Sequence, residues 1–283
     1  MQRWGRAAAV VACTALAAGG VATASASARS HSHQGGGRRL AAPAPRGATP
    51  AATRGARNRF SFNWSGYAQS TSARGTFTAA RDFWTVPTVK TGSGNQYSAD
   101  WVGIDGFSDS KLVQDGTEAD NLGGRTVYRA WTEILPASEV VISGLAIHPG
   151  DRIEGLVQEV SANRWQMTVF DLTTGKSGGR TVSYTARGTS VEAIHERPQI
   201  NGRLAALAKT GPVTFDPGSY STAAPGSTSF QPLLSVASGA TLNEIFMVNN
   251  AGTAVIASPS AVDSDSDGFK VADGPTSPSP PSS

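Results

Sequence analysis

The chain has 283 residues, 39% of them hydrophobic, a single cysteine and a formal net charge of +3. That length and apolar content suit one large β domain or two smaller ones. Residues 1–59 hold nine arginines and no acidic residue, leaving 15 of the 24 basic residues against all 21 acidic ones in the remainder, a net of −6. A basic arm thus precedes an acidic domain, and the overall charge is no argument for nucleic-acid binding.

Taken from the N-terminus, Arg3 and Arg6 precede an Ala-rich apolar run from Ala7 to Ala18. Ala24-Ser25-Ala26 and Ala26-Ser27-Ala28 both fit an A-x-A cleavage site. A membrane anchor is the alternative, but the run falls short of the roughly 20 residues that a hydrocarbon core requires. Residues 1–28 therefore read as a signal peptide, and the protein as secreted and free of the membrane once that peptide is removed. Cys13 leaves with it, so the mature chain has no disulfide and depends on the size of its core. Residues 29–59, rich in Arg, Gly, Ala, Pro and Ser, read as a disordered arm or a removable pro-segment. While attached, its seven arginines would neutralise an acidic cleft.

Order is expected from Phe60, with 60–273 as the folded domain. Asn63-Trp64-Ser65-Gly66-Tyr67 opens a strand, and Gly75 to Val86 supplies another pair that Pro87 stops. Residues 101–120 (WVGIDGFSDSKLVQDGTEAD) predict a hairpin, in which Trp101, Gly103 and Asp105 alternate with Val102 and Ile104. Gly106 to Ser110 supplies turn chemistry. A second strand from Lys111 brings Gln114, Gly116 and Glu118 to alternate positions. Apolar residues explain why such a hairpin folds; an indole, an amide and carboxylates on its other face mark a candidate site.

Further strands are expected over 126–133, 140–147, 152–160, 165–171, 180–184, 190–196, 213–215, 245–248 and 269–272. The one helical pattern is Gly202 to Lys209, with leucines at 204 and 207. A dozen short strands with no helical run between them imply an all-β, two-sheet sandwich with one short helix. Asp263 to Gly268 matches D-x-D-x-D-G, the start of a calcium loop, but the twelfth position is Gly274 rather than the bidentate Glu such a loop uses. It reads as a polar turn before the last strand. Residues 274–283 read as a Pro/Ser-rich disordered tail.

Several chemistries are excluded. No Ser sits in G-x-S-x-G, and a mature cysteine nucleophile is absent. His31 and His33 lie in the arm, His148 in a turn, and His195 has no H-E-x-x-H partner, which argues against zinc. In SVEAIHE (190–196), Glu192, Ile194 and Glu196 share one face and Val191, Ala193 and His195 the other. A carboxylate placed between Val191 and Ala193 would be partly desolvated and suited to acid–base work. The alternative is an exposed edge strand blunted by charge.

Six segments together resemble the glutamic peptidases, the eqolisin family of secreted acid proteases. They are NWSGY (63–67), FWTVPTV (83–89), ADWVGIDG (99–106), LVQDGTE (112–118), YRAWTEILP (128–136) and SVEAIHE (190–196), with support from LAALAKTGPVTF (204–215). The resemblance implies a curved antiparallel sandwich of concanavalin-like or jelly-roll type. It further implies a catalytic Gln and Glu, which match Gln114 and Glu192. Supporting or substrate-binding positions match at Trp64, Trp101, Asp105 and Glu133, while Glu118 stands where the family commonly has Asp. Ala193 replaces a usual Trp, His195 a usual Val, and Thr132 a Tyr, departures that bear on subsite shape.

In the mechanism this implies, Glu192 takes a proton from a water attacking the scissile carbonyl, and Gln114 stabilises the oxyanion. No metal or cofactor is called for, and the partner is a polypeptide in extended conformation bound by a monomer. Two other readings remain: a lectin-like sandwich, and a glycosidase using Glu133 and Glu192 as its carboxylate pair.

Overall fold

The computed structural model describes residues 53–283 apart from Thr228, together with the backbone of His31–Ser32. The signal peptide expected over 1–28, with Cys13, and most of the 29–59 arm lie outside the described residues.

The described chain is all-β. Eighteen strands join in one hydrogen-bonded system. Every strand pairing is antiparallel except that of Arg57–Ser61 with Thr241–Val248. One run of neighbours passes from Arg57–Ser61 through Thr241–Val248, Trp64–Ser70, Ser190–Glu196, Ala99–Ile104 and Val113–Leu122 to Arg125–Ile134. A second passes from Lys176–Ser183 through Arg164–Asp171, Arg152–Ser161 and Ala79–Thr85 to Val213–Phe215, Phe269–Asp273 and Val255–Pro259. It rejoins the first where Val255–Pro259 pairs with Thr241–Val248.

Period-two alternation explains the packing. Tyr67, Val102, Ile104, Val113, Val191 and Ala193 from the first run share one core with Trp84, Ile153, Val157, Met167, Phe215 and Phe269 from the second. Phe215 stacks on Phe269 at 4.9 Å between ring centroids and lies 6.1 Å from Trp84. The opposite face of the first run carries a separate cluster containing Trp64, Trp101, Trp131, Leu112, Ile194 and Ile245. Ser190–Glu196 is therefore a central strand buried on both faces, not the charge-blunted edge considered from sequence.

Four expectations are corrected. Residues 202–209 are not helical: Gly202 has φ +75°, and Arg203–Leu204 forms a hairpin with Gln199–Ile200. The N–H of Tyr97 donates to Ala206 O, that of Ala208 to Tyr97 O, and that of Lys90 to Lys209 O. Backbone groups that a helix would pair internally are thus bound to neighbouring segments. Order begins before Phe60, because Arg57–Ser61 adds a strand beside Thr241–Val248. The strand expected over 140–147 is limited to Val140–Val141, and Gly144 at φ +90° ends any extension. Finally, the tail is ordered: Pro281 is buried, and Ser283 Oγ lies 2.6 Å from Ser264 Oγ.

Phe215 is fully buried at the junction of three strands. Phe215→Ala should lower the unfolding free energy by about 3–5 kcal/mol, read as a shift of the urea midpoint at unchanged slope.

Candidate active site

Ladder register builds the site. Glu192 pairs with Gly103, Gly103 with Gln114, and Gln114 with Glu133. Residues directly opposite in an antiparallel ladder project from the same face, so these four form a row across four adjacent strands. It lies on the face turned away from the main core, beside the tryptophan cluster. Glu192 and Gln114 are two strands apart, about 10 Å between backbones at the usual strand spacing. Gly103 fills the position between them without a side chain. A Cβ there would lie 3.2 Å from Gln114 Cβ, 3.1 Å from Leu112 and 3.0 Å from the Trp101 ring.

Two residues further along, on the same face, Ile194, Trp101, Gly116 and Trp131 pair in a second row. A Cβ on Gly116 would collide with Asp100 O and come within 2.6 Å of Trp101 Cβ, so only glycine lets the indole lie there. Trp64 meets Trp101 edge-on, with centroids 5.0 Å apart at 73°. Trp101 Nε1 donates to Glu196 Oε2 at 2.8 Å, and Asn63 Nδ2 donates to Glu196 Oε1 at 3.0 Å.

Gln114 Nε2 donates to Glu133 Oε2 at 2.7 Å, so the second carboxylate of the row holds the amide. Glu118 forms an ion pair with Arg129, its cross-strand partner, and Arg129 also lies 3.7 Å from Asp120. Asp105 takes another role. It sits at φ +70° and accepts the N–H groups of Arg187, Gly188 and Thr189 and the Thr189 hydroxyl. It therefore anchors the loop that leads into the Glu192 strand. The structure brings Gln114, Glu192, Glu133, Trp64 and Trp101 to one face, with Glu118 further along the same strand as Gln114 and Asp105 supporting from the side.

The departures at 193, 195 and 132 fall on the other face of their strands. Ala193 is in the main core rather than a lost aromatic wall. His195 Nδ1 lies 2.7 Å from Asp100 Oδ1, both fully buried, an internal structural pair. Thr132 accepts a hydrogen bond from Arg180 Nε at 2.8 Å. Gly103, Gly116 and Trp131 escaped selection from sequence, although glycine at alternate strand positions is itself the signal of a close approach.

Gln114, Glu133 and Glu192 are each 0% exposed in the full-length chain. Neither oxygen of Glu192 has a hydrogen-bond partner. Burial drives its pKa well above the usual carboxylate range; the nearby Ser190 hydroxyl and Phe107 N–H pull it down, and Asp105 and Asp109 push it further up. Asp115 is raised in the same way by burial, against hydrogen bonds from Thr168 and Leu156. Burial also pushes Glu244 up to about 7, opposed by hydrogen bonds from Thr53 and Tyr67.

A sequence model of the Peptidase A4 family matches residues 62–267. Among solved structures, the chain is similar to scytalido-glutamic peptidase, crystallised with a transition-state-analogue inhibitor, at 22% identity and a TM-score of 0.61, over 75% of this chain and 98% of that one. It is similar to aspergilloglutamic peptidase from Aspergillus niger at 26% identity and a TM-score of 0.53, over 63% of this chain and 99% of that one. No curated protein matches the chain.

The raised carboxyl pKa values set a sign for the pH dependence. Each such group binds its proton more tightly folded than unfolded, so its contribution is full below the ordinary carboxylate pKa and is lost as pH rises through the folded value. Between about pH 4, the unfolded carboxylate range, and about 7 for Glu244, stability should therefore fall as pH rises. In buffer without divalent cations, calorimetry should give a higher Tm at pH 5 than at pH 7.5, and Glu192→Gln should narrow that gap. A Tm that climbs over this interval contradicts the assignment.

Proposed function

The chain belongs to the Peptidase A4 family, the glutamic peptidases, and on that premise we propose that it is a secreted acid endopeptidase with Glu192 and Gln114 as its catalytic pair. The observation that carries this reading is the row itself: a carboxyl and an amide on one face, with a side-chain-free position between them. In the uncovered site, Glu192 as carboxylate takes a proton from the water that attacks the scissile carbonyl, then returns it to the departing amine. The Gln114 oxygen holds that water and its amide nitrogen stabilises the developing oxyanion. An amide nitrogen carries two donors; Glu133 orients the group through one, and the mechanism assigns the other to the oxyanion. Trp64, Trp101 and Trp131 supply an apolar floor for an extended polypeptide. The eqolisin relatives solved with peptide-based ligands support a polypeptide substrate. The glycosidase reading is disfavoured, since Gln114 stands between Glu133 and Glu192 and is bonded to the former.

The family fold extends, in this reading, to a curved two-layer sandwich of jelly-roll type, acting as a monomer outside the cell. The arm, with seven arginines between 29 and 59, serves as a pro-segment up to the start of the Arg57–Ser61 strand. Two observations support this. The catalytic row is closed to solvent in the full-length chain, and His31–Ser32 pairs with Gln199–Ile200, just past the end of the Glu192 strand. A buried, neutral Glu192 is in the wrong state to act as a base. Removal of the arm admits water, lowers that pKa and permits ionisation.

Denatured casein should be cleaved at pH 3–4 and more slowly at pH 7 once the arm is trimmed. Glu192→Gln should abolish turnover with an unchanged circular dichroism spectrum; a fully active variant refutes the assignment. Gln114→Ala should cost about 10²–10³ in kcat, as expected for one oxyanion donor, whereas a lectin or glycosidase would not need this amide. A synthetic 29–52 peptide should inhibit the trimmed enzyme at low salt and lose potency as salt screens its charge; lack of inhibition at low salt removes the pro-segment role.

A further inference from the structure

A second constellation lies away from the catalytic row. The Asp263–Gly268 loop meets the turn at Asp216–Gly218: the N–H of Gly218 donates to Asp267 O at 2.7 Å, and that of Leu234 to Ser266 O at 2.9 Å. Within this junction, carboxylate oxygens of Asp216, Asp263 and Asp267 all lie within 4.8 Å of one another. Asp263 is 8% exposed; its Oδ1 accepts the Asp267 N–H at 3.1 Å, while its Oδ2 and Asp267 Oδ1 are buried without a hydrogen-bond partner.

The surroundings point the same way. Asp82, fully buried, accepts the Phe83 N–H at 2.7 Å through Oδ1, and its Oδ2 has no partner. It borders the turn that carries Asp216, since its Oδ2 lies against Gly218. Two glycines keep space in front of these oxygens. A Cβ on Gly218 would come within 2.6 Å of Asp82 Oδ2, and one on Gly268 would collide with Asp263 Oδ2 and sit 3.0 Å from Asp216 Cγ. Arg152 and Lys270 act on Asp216 from a distance, but no Lys or Arg among the described residues forms an ion pair with any of the three. Carboxylate oxygens gathered with few donors and no ion pair are costly. A bound cation removes that cost.

We propose that Asp216, Asp263 and Asp267 form a calcium-binding site that ties the 263–268 loop to the 216–218 turn, with Asp82 as an acceptor behind it. An all-oxygen donor set with no His or Cys selects a hard cation. Calcium tolerates irregular carboxylate geometry from separate segments, with water completing its six to eight ligands, whereas magnesium demands a near-ideal octahedron. The acidic position that the D-x-D-x-D-G loop lacks at Gly274 is supplied instead by Asp216, far upstream. The tail closes over the same place through Pro281 and Ser283.

The test uses the full-length chain, stripped with EDTA, at pH 7. Isothermal titration should show one calcium site, and calcium at a hundredfold over Kd should raise Tm by about 5 °C. Asp263→Asn and Asp267→Asn should each remove the heat and the shift, with a metal-free Tm equal to or above wild type because repulsion is relieved; if one variant fails to fold, the other decides. Glu192→Gln should keep the full shift, which separates this site from the acidic cleft. No response to 1 mM calcium, a shift that persists in both Asn variants, or an equal shift with magnesium would overturn the proposal.

Discussion

The hydrogen-bond register of four neighbouring strands is the constraint from which the rest follows. Gly103, Gln114 and Glu133 lie on three consecutive strands and Glu192 comes from far along the chain, and the pairing of their backbones sets all four abreast. Side chains alternate between faces with a period of two, so a slip of one residue in any ladder would send its member into the main core. Valines and alanines on the opposite face forbid that slip: Val102, Val113, Val191 and Ala193 are buried against the second run of strands. The same packing that stabilises the fold thereby enforces the geometry of the site. Glu133, bonded to Gln114, adds a side-chain lock to the backbone one.

Carboxyl groups are distributed through this interior in a way that neutral conditions disfavour. Glu192, Asp115 and Glu244 all hold their protons more firmly than free carboxyls because burial penalises the ionised form. His195, whose pKa burial pulls down, is carried upward on balance by Asp100 and other acidic neighbours. Both kinds of shift favour the protonated protein, so the preference for protons is spread over the core and does not reside in Glu192 alone. Asp105 is raised by burial as well, although the N–H groups of Arg187, Gly188 and Thr189 that it accepts oppose the shift.

Much of this was legible in the sequence because strand periodicity is short and repeated. Ser190–Glu196 and Val213–Phe215 have the expected boundaries, and alternation within 101–118 separates the Gln114 face from the core face. What escaped was information that alternation does not carry. Leu204 and Leu207 stand at a helical spacing, yet their segment is tied to Tyr97 and Lys90, partners invisible to a local pattern. The strand length of Val113–Leu122 was understated because Asp115, Asp120 and Asn121 look like loop residues, although all three are buried. Ala193 reads as a missing aromatic until its face is known. The Pro/Ser-rich tail has a composition that suggests disorder, but Pro281 finds a place over the Asp263 loop.

The parallel strand Arg57–Ser61 bears on the proposed removal of the arm. It lies at the margin of its ladder and pairs there with Thr241–Val248 alone. Trimming that ran beyond Arg57 would peel this strand away and leave the backbone of Phe246 and Met247 as a naked sticky edge, an invitation to self-association. If the arm is removed as proposed, the cut is bounded on its C-terminal side by architecture: the last dispensable peptide bond is the one that still leaves this border intact.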